Sequence, residues 1–187
     1  MLPVVKDFYS HSFDTEEDIT VAWFQTKTDT VYRAYFYPLK DYLDIVKSGT
    51  ILFEKGFFFG FTKVGDNEDK KEAMDSKIKN TIINIVTEFF SDVNDCVLIF
   101  HCDNGDNKKK LRNKRFDEWF ANSSIENSYL KYDETVISFE IGPNGQVIED
   151  TEYLSLIIHS GNPVIEQAVQ EFQKIKDQLI LNKSNGD

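Results

Sequence analysis

The densest run of side chains that could do chemistry is Asp103-Asn104-Gly105-Asp106-Asn107-Lys108, followed by a helical stretch carrying Arg112 and Arg115. The apolar run Cys96 to Cys102 reads as an interior strand that delivers this acidic, glycine-containing loop to a helix start. Loops at the carboxyl ends of interior strands are common ligand sites. The chain has 18 lysines and only three arginines (Arg33, Arg112 and Arg115), so two arginines three residues apart stand out. At about 100° per residue, Leu111, Phe116, Trp119 and Phe120 surround a centre close to Arg112. Arg115 falls about 60° from it, and Lys108 projects to the same side.

A guanidinium facing a core needs a carboxylate or phosphate partner. The expected arrangement is structural: Asp103 or Asp106 caps the helix and accepts bonds from Arg112 or Arg115. The competing arrangement is an anion site, for a nucleotide or phosphate, made by Lys108, Arg112 and Arg115 in the positive field of the helix N-terminus. Only under that second reading would Mg²⁺ enter as a cofactor, held by Asp103 and Asp106.

The stretch Cys102-Asp103, Gly105-Asp106, Arg112, Arg115-Phe116 and Trp119-Phe120 resembles an uncharacterised family of small bacterial α+β proteins, mostly from the Bacteroidota. A weaker likeness runs through the first hairpin and the strand leading to Asn162-Pro163. The resemblance implies a single compact domain and no assigned activity or catalytic residues.

Other catalytic chemistry finds little footing. The three histidines are His11, His101 and His159, with no nucleophile elbow or Ser-His-Asp pattern beside them. No phosphate-binding glycine loop or HExxH is present. Cys96 and Cys102 on one strand would be roughly 20 Å apart, too far for a disulfide, and are expected to be buried, reduced thiols. A catalytic role is therefore not expected, and neither is a resident cofactor.

Lys plus Arg number 21 against 32 Asp plus Glu, a formal net charge of -11. That charge repels phosphate backbones, so nucleic acid is not an expected partner. It suits solubility or a basic partner. No apolar run approaches the roughly 18 residues of a membrane span, and the first residues lack the pattern of a signal peptide. The expected setting is the cytoplasm, and the lysine-, asparagine- and isoleucine-rich composition is that of an AT-rich bacterial genome.

The elements that must position these residues follow from periodicity. Residues 18–25 and 31–37 alternate around a polar turn at 26–30, and 135–141 with 146–148 flank a Gly-Pro-Asn-Gly turn. Residues 51–53, 57–62 and 153–159 also read as strands. Apolar stripes predict three main helices, roughly 74–91, 108–121 and 163–181. The expected fold is one α+β domain over 1–187, with about six strands in a largely antiparallel sheet. Residues 1–17 are expected to be a loose N-terminal segment and 182–187 a frayed tail.

Sixteen Phe, eight Tyr and two Trp exceed what one core obviously needs. Tyr32, Tyr35, Tyr37 and Tyr42 are therefore candidates for an interface with another protein or a second copy. The functional expectation is protein–protein interaction, of the immunity, antitoxin or defence-accessory kind.

Overall fold

The computed structural model describes residues 7–42, 46–65, 75–93, 95–101, 109–121, 128–141 and 143–184. Among the described residues, seven strands form one sheet in the order β1-β2-β3-β4-β5-β7-β6. They are β1 (His11–Glu16), β2 (Ile19–Gln25), β3 (Val31–Pro38), β4 (Gly56–Val64), β5 (Val97–His101), β6 (Tyr129–Ile141) and β7 (Val147–His159). Five helices are described: α1 (Leu39–Tyr42), α2 (Ile51–Lys55), α3 (Ser76–Asp92), α4 (Lys109–Ala121) and α5 (Ile165–Ser184). Every strand pair is antiparallel except β4 with β5. That pair is parallel because α3 carries the chain back across the sheet between them.

Helices cover both faces. Leu98 and Phe100 of β5 point to a layer shared with Ile82, Ile85, Val86 and Phe89 of α3 and Phe116 of α4. Val97 and Ile99 point to the other layer, with Leu39, Leu52 and the Ala168, Phe172 and Ile175 stripe of α5. Burial on both sides explains why β5 is apolar without alternation. Each large side chain so enclosed contributes roughly 1.5–3 kcal/mol of transfer free energy.

The expected α+β class and largely antiparallel sheet hold; among the described residues there are seven strands rather than about six, and the short α1 and α2 join the three main helices. Four local readings are corrected. Residues 11–16 are a strand, not part of a loose segment, and residues 7–11 are tied to α3. The Tyr9 backbone N–H donates to Thr81 Oγ1 at 2.9 Å, Asn80 Nδ2 donates to the Asp7 carbonyl at 3.0 Å, and His11 Nε2 meets Glu88 at 2.9 Å. Residues 51–53 are helical, because Thr50 caps Phe53 N and the Glu171 carboxylate accepts from Ile51 N (3.2 Å) and Leu52 N (2.9 Å). Residues 146–148 and 153–159 belong to one strand, β7, whose polar middle pairs with β6 without interruption. The last helix runs to Ser184, beyond the start expected for the frayed tail.

Gly60 on β4 makes room for a neighbour. A Cβ there would lie 2.4 Å from the Tyr35 hydroxyl oxygen, so the missing side chain lets the Tyr35 ring lie on the strand.

Candidate functional site

The acidic loop lies outside the described residues, and with it Cys102, Asp103, Asp106 and Lys108. The residues that flank it on either side are described. At the carboxyl end of β5, His101 Nε2 is 3.5 Å from Glu152 Oε2 on β7. At the first residue of α4, Lys109 pairs with Asp150, and both side chains are largely buried. A cation at this end of the loop is therefore committed to a carboxylate of the chain itself.

The orientation of α4 is set by Phe116, its one buried residue. Phe116 stacks on Phe100, and Trp119 stacks on Phe61 with ring centroids 6.1 Å apart. Four residues before Phe116, Arg112 shares that face; it is half-buried and not free. Arg115 is exposed, and Leu111 is 48% exposed. The helical-wheel reading is corrected here. Five residues separate Leu111 from Phe116, about 140° of rotation, so a face centred on Phe116 leaves Leu111 and Arg115 outside. Among the described residues no cluster of three His, Cys, Asp or Glu could hold a metal ion.

The tyrosines divide. Tyr32 is 7% exposed and stacks on Phe24, so it is a core residue and not an interface one. Tyr35 and Tyr37 are half-buried, edge to face with each other at 5.6 Å. The Tyr42 side chain lies outside the described residues. Arg33 lies over the rings of Trp23 and Tyr35 and pairs with Glu16. Cys96 is fully buried, which pushes its thiol up to about 12 and leaves it a poor nucleophile.

Exposed apolar surface collects elsewhere, on the hairpin of β6 and β7. Its base is clamped by charge from both sides. On the α4 face, Lys131 is 7% exposed and bonds Asp117 of α4 at 2.6 Å and also Asp133. The Ser155 hydroxyl donates to Asp133 at 2.6 Å, and Asn113 Nδ2 donates to Asp117 at 3.3 Å. On the α5 face, Lys176 donates to Glu134 at 2.7 Å, and that bond raises the lysine's pKa.

Past Val136, which is fully buried, the hairpin runs beyond the β5 pairing and is held on one side by Lys109 of α4 at Asp150. β5 pairs with β7 only over Leu154–Ile158, so residues 147–153 pair with β6 alone. The result is a two-stranded ribbon that extends beyond the β5 pairing. Ile137 is 47% exposed, Phe139 65%, Val147 65% and Ile148 42%. The register places Ile137, Phe139 and Val147 on one face, because Phe139 pairs with Glu149 and Ile141 with Val147. Alternation over 135–141 was legible in the sequence, but that pattern alone does not say whether the apolar face is covered.

A family model described only as a family of unknown function matches residues 74–174, from α3 into α5. No curated protein and no solved structure matches the chain.

Proposed function

The chain belongs to the DUF6169 family of unknown function, and from that premise we propose that it works by binding another protein rather than by catalysis. The observation that carries this reading is the ribbon beyond the β5 pairing, with Ile137, Phe139, Val147 and Ile148 in solvent. Apolar side chains gathered on a projecting element mark interaction surfaces. The net charge of -11 favours a basic partner and disfavours nucleic acid.

The setting we propose is the cytoplasm of a bacterium. The lysine-, asparagine- and isoleucine-rich composition and the buried thiol of Cys96 support it. No helix among the described residues is long and apolar enough to cross a membrane. Small acidic proteins that act through one partner fit immunity, antitoxin or defence-accessory roles, by analogy of class.

Affinity capture from the native host tests the reading. The expected result is one stoichiometric protein partner, lost when Ile137 and Phe139 are both changed to Thr. Recovery of the chain alone, as a monomer in sedimentation, overturns it.

A further inference from the structure

We infer that what the ribbon takes up is a basic, extended segment of the partner, which adds to the outer edge of β6 as a further strand. This rests on the protein-binding reading above and names the chemistry of the partner.

Three observations converge. First, β6 is the last strand of the sheet; among the described residues it has β7 on one side and no strand on the other. Backbone donors and acceptors along that edge are the template that strand addition uses. Second, over Thr135-Val136-Ile137-Ser138-Phe139-Glu140-Ile141 the edge has no proline, no lysine, no arginine and no glycine, and its one charge, Glu140, is acidic. Exposed Ile137 and Phe139 offer the alternate-residue contacts that an incoming strand's apolar side chains would cover.

Third, the charge is one-sided. From Tyr132 to Ile158 there are six carboxylates and no Lys or Arg. Lysines from outside this stretch meet Asp133, Glu134 and Asp150 at its base and middle. Glu149, directly across from Phe139, stays exposed. An incoming strand alternating apolar residues with Lys or Arg matches both features. A second copy matches only the first, because it brings another acidic ribbon and another net charge of -11 to the same edge.

The test uses the full chain, isotopically labelled, and a synthetic decapeptide that alternates lysine with valine, beside its glutamate–valine counterpart. The lysine peptide is expected to bind, to shift the backbone amide signals of residues 135–141, and to weaken as salt is raised. The glutamate peptide is expected not to bind. Changing Ile137 and Phe139 together to Thr preserves net charge and strand propensity, and is expected to weaken binding roughly tenfold or more. Circular dichroism confirms that this variant folds. Amide shifts confined to other elements, or equal binding by the folded double variant, overturn the inference. So does concentration-dependent dimerisation through the same amides without peptide. If the double variant still captures a host protein, protein binding survives and the β6 edge is ruled out. If neither host protein nor peptide binds wild type, both readings fall.

Discussion

The ring of Phe116 lies 4.1 Å, centroid to centroid, from the ring of Phe100. Phe100 ends the apolar part of β5, and Phe116 is the buried residue of α4. This stack determines which side of α4 meets the sheet. It puts Asp117 within reach of Lys131 and turns Leu111 and Arg115 away.

Phe116→Ala is expected to cost about 3–5 kcal/mol in chemical unfolding, the range for emptying an aromatic site in a core. Leu111→Ala is expected to stay within about 0.5 kcal/mol, as exposed positions do. Equal costs for the two would mean that α4 is rotated from the orientation described.

Lys131 holds α4 to the hairpin base through Asp117 and Asp133. Lys131→Met keeps the aliphatic stem and leaves two carboxylates side by side without their cation. Both carboxylates are about half exposed, so water offsets part of the loss. The expected destabilisation is about 1–2 kcal/mol. Adding Asp133→Asn to Lys131→Met should recover part of it, measured as a double-mutant cycle. A fully additive cycle would deny the coupling.

Asp75 caps α3 by accepting from Lys77 N at 2.8 Å. The hydroxyl of Tyr9 donates to the same carboxylate and is the largest influence holding it below the usual carboxylate range; burial acts the other way. A carboxyl depressed in the folded state adds stability that is full above its unfolded value of about 3.9. That contribution is lost as pH falls through the folded value. Tyr9→Phe is therefore expected to flatten the acid side of the stability profile, below about pH 4, more than it alters the slope near neutrality. An unchanged acid limb in chemical unfolding would remove Asp75 as a contributor.

Long helices and hairpin turns were legible because apolar periodicity and turn chemistry are local. The strand β1 was not. Its sequence, His11-Ser12-Phe13-Asp14-Thr15-Glu16, has one large apolar residue, and it turns through Glu17 at a φ of 56° without a glycine. Its register comes from pairing with β2, and His11 is held by Glu88 of α3, 77 residues away along the chain. For α2 the deciding group is Glu171, 120 residues from Ile51, so its local sequence reads as strand. Within the candidate site, the wheel found the side of α4 that carries Arg112 but could not weigh Leu111 against Phe116. That choice depends on Phe100, a residue on another element.

The cations around the start of α4 carry the remaining prediction. Lys109 is committed to Asp150, Arg112 is half-buried and not free, and Arg115 stands in solvent. Lys108 and the carboxylates Asp103 and Asp106 lie outside the described residues. An anion site needs cations with unspent donors converging on one point, and the described ones are bonded within the chain or diverge from it. A thermal-shift screen with inorganic phosphate and nucleoside mono-, di- and triphosphates, with and without Mg²⁺, is therefore expected to be flat. Arg112→Ala is expected to lower the melting temperature equally with and without these ligands, because its loss is felt in packing beside Phe116. Arg115→Ala should leave the melting temperature within about 1–2 °C of wild type. Ligand-dependent stabilisation that disappears in Arg112→Ala or Arg115→Ala would reverse this conclusion. It would move the functional centre from the β6–β7 ribbon to the start of α4.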